Sequence, residues 1–118
     1  MIPGDYPFTI YQGATWSRSM TLSIGGVVVD LHDYSARMTI RRTYGAPPIL
    51  SLTSAPNGGI VLSAASPTPN IYIEISATKT AALSFVTAVG DFELIAPDGV
   101  VVDRLFSGVV TLSTEVTT

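Results

Sequence analysis

The chain has 118 residues, of which 47% are hydrophobic and only 13% are charged, and its formal net charge is −3. This length suits one domain, and the acidic balance argues against binding of nucleic acid, which requires clustered Lys and Arg. The absence of cysteine excludes a disulfide framework, a thiolate nucleophile and a Cys-ligated zinc site. Because the charged share is about half the usual one, we expect a neutral, hydroxyl-rich surface that a protein partner covers.

No apolar run reaches the roughly 18 to 20 residues that span a bilayer, and the first residues lack the basic start and apolar stretch of a signal peptide. We therefore expect a soluble product made in the cytoplasm, with no membrane partner. A single domain is expected over residues 1–118, with terminal arms at residues 1–6 and 114–118.

Apolar residues alternate with Ser and Thr over residues 15–24, which is typical of a strand with one buried face. Trp16 lies on the apolar side, so we expect a core anchor rather than a contact residue. Arg18 shares that side and is expected near a sheet edge, where its charged head reaches water. Gly25 and Gly26 supply the positive φ angles of a two-residue hairpin.

The middle of the chain contains several short strands. A polar corner at residues 30–35 precedes a second one-sided strand, which is expected over residues 36–41. Two further apolar runs, at residues 49–53 and 60–62, flank an Asn-Gly-Gly segment at residues 57–59. This arrangement predicts a second hairpin.

One helical segment interrupts the strand pattern. Residues 71–75 alternate as a strand, and Ser76 then stands where its hydroxyl can cap a helix. The sequence therefore predicts one short helix near residues 77–83.

The last third predicts a long hairpin. A strand is expected at residues 91–95, a turn at Pro97-Asp98-Gly99 and a return strand over residues 100–113, in which Gly108 indicates a bulge or a close backbone approach. Together, the elements predict an all-β protein, an antiparallel β-sandwich of the immunoglobulin-like kind with roughly 7 to 9 strands. A small β-barrel is the alternative.

The polar residues do not form a recognisable catalytic pattern. His32, the single histidine, lies between Asp30 and Asp33, but a metal site requires more ligands and a general base requires a nucleophile or a pocket. Turn formation accounts better for this corner and for Asp98. We therefore expect no catalytic residue, no metal, no cofactor and no enzymatic activity.

Four segments of the chain resemble a group of small virion proteins of tailed bacteriophages and prophages. They are the opening strand after Gln12-Gly13, the stretches DLHDYSARMTIR and ISATKTAAL, and the hairpin that ends in TLSTEVT. The chain departs from the group's pattern at Leu31-His32-Asp33, where Leu-Thr-Gly is frequent, and at Thr114, where Pro is common. These proteins look like immunoglobulin-like or baseplate-protein-like β-sandwiches, so the resemblance implies a structural role in the virion.

From the residues and the resemblance, we expect a non-enzymatic virion component that attaches to capsid or tail subunits through terminal arms and a sheet face or edge. We expect a homo-oligomer or many copies per particle, located in the virion after synthesis in the host cytoplasm. The aromatic segment at residues 6–11 either docks on a neighbour or packs on its own domain. The expected contact residues are Tyr6, Phe8, Tyr11, Arg41, Arg42, Thr111, Leu112, Glu115 and Val116.

The alternative function is a host-receptor or glycan-binding module of a phage tail or baseplate. Loops at residues 45–48 and 66–70 would form its site, with Tyr44 and Tyr72 as the nearby aromatic side chains.

Overall fold

Strands dominate the structure, a computed structural model that describes residues 4–5, 7–64 and 69–114. Its strands are β1 (Gly4–Asp5), β2 (Phe8–Tyr11), β3 (Trp16–Met20), β4 (Ser23–Ile24), β5 (Val27–Val28), β6 (Ser35–Arg41), β7 (Pro48–Thr53), β8 (Ile60–Leu62), β9 (Ile71–Ile75), β10 (Thr87–Ile95) and β11 (Val102–Ser113). One helix, α1 (Ala77–Ala81), lies between β9 and β10. The all-β class with one short helix is confirmed, and eight of these strands contain three residues or more.

Two sheets enclose the core in a sandwich-like arrangement. The larger sheet has the order β1-β11-β10-β6-β7, with β2 also paired to β11, and the smaller has the order β3-β9-β8. Neighbouring strands are antiparallel, as expected, except that β1 and β2 run parallel to β11. β4 and β5 form a separate two-stranded ribbon.

The inner faces of the two sheets supply the core, with buried side chains at alternate positions as strand geometry requires. Phe92 and Phe106 stack at a ring-centroid distance of 5.3 Å on neighbouring strands of the larger sheet. Trp16, on the smaller sheet, is only 7% exposed and lies 4.7 Å from the ring of Phe8. Its predicted role as a core anchor is confirmed. Burying one such side chain contributes roughly 1.5 to 3 kcal/mol.

The first predicted hairpin is confirmed and the second is wrong. Gly25 and Gly26 have φ angles of 59° and 81° between β4 and β5, as the favoured two-residue turn requires. In contrast, β7 pairs with β6 in the larger sheet and β8 pairs with β9 in the smaller one. Residues 54–59 therefore carry the chain from one sheet to the other. Gly59 allows this crossover, because its φ is 96° and an added Cβ would lie only 2.8 Å from the Glu74 carbonyl oxygen. Its own carbonyl accepts a hydrogen bond from the Glu74 amide at 2.8 Å.

The helix begins where the sequence predicts and ends earlier. The Ser76 hydroxyl accepts a hydrogen bond from the Lys79 amide at 3.3 Å, which confirms the expected cap. α1 ends at Ala81, and the buried Leu83 lies beyond it in irregular chain. Among the residues that the structure describes, no helix has the length and apolar character needed to cross a membrane.

The C-terminal hairpin is longer than predicted on its first strand. β10 begins at Thr87 rather than at residue 91. Gly108 lies directly opposite Gly90 in regular register, so the bulge, one of the two alternatives expected there, is absent. The register shift instead follows Phe92, because Phe92 pairs with Phe106 while Glu93 pairs with Arg104.

Candidate interaction surface

Two of the predicted contact residues belong to the core instead. Phe8 and Leu112 are each 6% exposed. The parallel pairing of β2 with β11 places Phe8 beside Val110 and Ile10 beside Leu112, and these side chains all point inward. The expectation that Phe8 and Leu112 contact a neighbour is therefore wrong. Phe8 packs on its own domain, which was the alternative for the aromatic segment at residues 6–11.

The outward positions of the same two strands remain accessible. Tyr11 is 62% exposed, and Thr111 is also exposed. In the described part of the chain, β1 and β2 both pair with β11 at this edge of the larger sheet and no strand lies beyond β2, so the outer backbone groups of β2 are available for pairing. The predicted contact residues Tyr6, Glu115 and Val116 lie outside the described residues.

The β4–β5 ribbon presents two apolar side chains at its tip. Ile24 and Val27 are cross-strand partners and are 59% and 69% exposed. The completely buried side chain of Asn70 holds the base of the ribbon. Its Oδ1 accepts a hydrogen bond from the Leu22 amide at 2.8 Å, and its Nδ2 donates to the carbonyl groups of Leu22 at 3.1 Å and Val29 at 2.8 Å.

Sequence reasoning missed Asn70. Its only local signal is a polar residue directly before the apolar strand β9. The residues that it binds precede it by 41 and 48 positions, and this separation hides the contact from any pattern of neighbouring residues.

A second apolar tip follows the turn between β10 and β11. Val100, Val101 and Val102 are 80%, 50% and 42% exposed. Asp98 holds the turn, because its Oδ1 accepts hydrogen bonds from the amides of Val100 at 2.8 Å and Val101 at 3.1 Å. These bonds favour the charged carboxylate and lower the pKa of Asp98. The predicted turn role of Asp98 is confirmed.

The outer face of the larger sheet carries a charged concavity of about 540 Å³. Within it, Arg37 Nε donates to Glu93 Oε1 at 2.8 Å. Arg41 and Arg104 form no ion pair with any residue that the structure describes. Arg42 is exposed just beyond the end of β6. The lining residues are Arg37, Thr39, Arg41, Tyr44, Gly45, Asp91, Glu93 and Arg104.

His32 is part of a turn built by two carboxylates. Its Nδ1 lies 2.8 Å from Asp30 Oδ1, its Nε2 lies 3.1 Å from Asp33 Oδ2, and its amide donates to Asp30 Oδ1 at 3.1 Å. The hydrogen bond to Asp30 is the main cause that raises the pKa of His32. No group of three or more His, Cys, Asp or Glu side chains suited to hold a metal ion occurs among the described residues.

The two tyrosines of the alternative glycan site lie beside different sheets, Tyr44 in the turn between β6 and β7 and Tyr72 on β9. Tyr44 lines the charged concavity of the larger sheet, whereas Tyr72 lines a groove of about 570 Å³ beside the smaller sheet, with Glu74 and Lys79. The Tyr72 hydroxyl donates to Glu74 Oε1 at 2.9 Å, and this bond raises the pKa of Tyr72. The two rings therefore line separate depressions, and residues 66–68 of the second predicted loop lie outside the described residues.

Comparison of the sequence with protein-family models gives no match, and comparison with curated proteins gives none either.

Proposed function

We propose that this chain is a non-enzymatic structural protein of a tailed-bacteriophage particle, present in many copies and bound to capsid or tail subunits. The segments that resemble small immunoglobulin-like or baseplate-protein-like virion proteins support a place in the virion. The exposed surfaces of the all-β domain support a function by contact.

The observation that carries the proposal is the ribbon formed by β4 and β5. A buried Asn70 amide with three hydrogen bonds fixes its base, while Ile24 and Val27 face outward at its tip. A fixed, exposed pair of branched apolar side chains is typical of a contact site, because a partner can bury them with little further loss of conformational freedom.

The expected energy per contact is modest. Covering the exposed parts of Ile24 and Val27 contributes roughly 1 to 2 kcal/mol each. Such a contact becomes stronger where neighbouring copies also bind one another, because each further contact is then made within one assembly. The exposed Val100, Val101 and Val102 and the free edge at β2 offer further area for neighbours.

The test uses phage particles whose genome lacks the gene for this chain. The purified protein is then added separately, as the wild type or as a variant. We expect the wild-type chain to copurify with particles. The affinity of the variant Ile24→Ser/Val27→Ser for particles should be lower by at least roughly tenfold. The matched control is Val61→Ser/Val86→Ser, since Val61 and Val86 are also exposed, at 56% and 78%. Quantitative mass spectrometry of purified particles measures the bound protein. Absence of the wild-type chain from particles would contradict the proposal.

The alternative, a host-receptor or glycan-binding module, is favoured by one observation. Tyr44 is 61% exposed beside the arginines of the charged concavity, where its ring could stack on a sugar. Binding of the isolated protein to host glycans that is lost in Tyr44→Ala, but kept in Tyr72→Ala, would support this alternative.

A further inference from the structure

The charged concavity has a positive net charge, although the molecule as a whole is acidic. Three arginines and two carboxylates line it, which gives a surplus of one positive charge where the whole chain has a net charge of −3. Glu93 is occupied by Arg37, whereas Arg41 and Arg104 have no ion-pair partner among the described residues. Arginine presents a planar fork of donors that suits carboxylates, so the concavity fits a ligand that carries them.

The same molecule presents carboxylates at one end of the larger sheet. β6 runs from Ser35 to Arg41, and Ser35 pairs with Ile95. The corner at residues 30–34 and the turn at residues 96–101 therefore lie at the Ser35 end. Arg104 lies nearer that end, level with Arg37, because both residues pair with Glu93, while Arg41 lies at the other end, about 20 Å from Ser35.

The corner is well exposed. The side chains of Asp30 and Asp33 are 53% and 67% exposed, and both carboxylates flank His32. Because the His32 contacts occupy one oxygen of each carboxylate, the other oxygen of each is available to an arginine.

We propose that the acidic corner of one copy, Asp30 and Asp33, docks in the arginine-lined concavity of a second copy and pairs with Arg41 and Arg104. This inference rests on the proposed contact function and names one of its partners. Two concavities facing each other would oppose like charges, so the favoured contact joins different surfaces of the two copies. Repetition of such a contact gives a ring or an open stack.

Two charge-reversed variants test this contact. The face variant is Arg41→Glu/Arg104→Glu, and the corner variant is Asp30→Lys/Asp33→Lys. Self-association is measured by sedimentation velocity at low ionic strength, about 0.01 M, and again at about 1 M, where the screening length falls from roughly 30 Å to 3 Å. We expect the wild-type protein to associate at low salt only. For each variant alone, the affinity of self-association should fall by at least roughly tenfold.

The decisive sample is the equimolar mixture of the two variants. The reversed corner of one then meets the reversed face of the other, so association should return to within about threefold of the wild type. The matched control is Arg42→Glu/Lys79→Glu, which has the same net charge as the face variant but leaves the concavity unchanged. It should associate more tightly than the face variant. The neutral variant Arg41→Gln/Arg104→Gln, checked by circular dichroism, must weaken association without loss of fold.

A wild-type protein that stays monomeric at low salt, a mixture that fails to associate, or a control as weak as the face variant would each overturn the inference. If both reversed variants still enter particles while self-association is unaffected by the reversals, this inference fails and the proposed function stands. If the charge-dependent contact is found but the chain is absent from particles, the proposed function fails and the inference stands.

Discussion

Two Gly-Gly pairs in this chain lie in different surroundings and serve different purposes. Gly25 and Gly26 close the ribbon, and a Cβ atom added at either position would meet nothing within 4 Å. Gly58 and Gly59 form the crossover between the sheets, where an added Cβ would press on the carbonyl of Thr53 or of Glu74. The same dipeptide therefore marks an open turn in one place and a crowded crossover in the other.

The largest expected effect is a loss of stability on Gly→Ala substitution, and it should be much greater in the Gly58-Gly59 pair than in the Gly25-Gly26 pair. We expect Gly59→Ala to lower the free energy of unfolding by about 3 kcal/mol or more, because a positive φ and a crowded Cβ act together. Gly59 has a φ of 96°, and its Cβ would lie 2.8 Å from the Glu74 carbonyl oxygen. Gly26→Ala is the matched control at a φ of 81° in open space, and it should cost only about 1 kcal/mol. Urea unfolding measures both variants, and equal losses would contradict the difference in crowding.

A second prediction concerns what holds the ribbon in place. If the base rather than the glycine turn fixes it, Asn70→Ala should lower the free energy of unfolding by about 2 to 3 kcal/mol, since it leaves the partly buried Leu22 amide and Val29 carbonyl without their Asn70 partners. Hydrogen exchange of the Leu22 amide, which donates to Asn70 Oδ1, should accelerate strongly. The Phe92 amide in β10 is the internal control. Unchanged protection of Leu22 would show that the glycine turn and the backbone pairing of the ribbon, including the Val29 amide to Leu22 carbonyl bond, position it without Asn70.

The smallest expected effect is a change in the pKa of His32, in a turn that side-chain hydrogen bonds rather than glycine residues hold. The pKa of His32 should lie above its usual 6.5, chiefly because of the hydrogen bond to Asp30, and Asp30→Asn should move it back toward 6.5. A raised folded-state pKa stabilises the protein below pH 6.5, and this contribution is lost as the pH rises through the raised value. Titration of the His32 ring by NMR measures the shift. A wild-type pKa at or below 6.5 would contradict the geometry of the corner.

Local patterns in the sequence predicted the local structure. Alternation located β6 and β9, Ser76 was identified as a helix cap, and the roles of Asp98 and Trp16 followed from turn chemistry and strand parity. Each of these features depends on residues within a few positions of one another.

Features that depend on distant partners could not be predicted in the same way. The parallel pairing of β2 with β11 decides that Phe8 and Leu112 point inward, and it joins residues about a hundred positions apart. The crossover at Gly59 and the anchoring role of Asn70 likewise depend on which strand lies across the core. The charged concavity exists only because the register of β6, β10 and β11 aligns Arg37, Glu93 and Arg104 in one row.

The most direct test of the proposed function is a cryo-EM map of intact particles of a phage whose genome encodes this chain. We expect repeated copies of this domain on the capsid or tail, with Ile24 and Val27 of the ribbon covered by a neighbouring subunit. A map that contains no copy of the chain, or that shows every ribbon tip facing solvent, would contradict it.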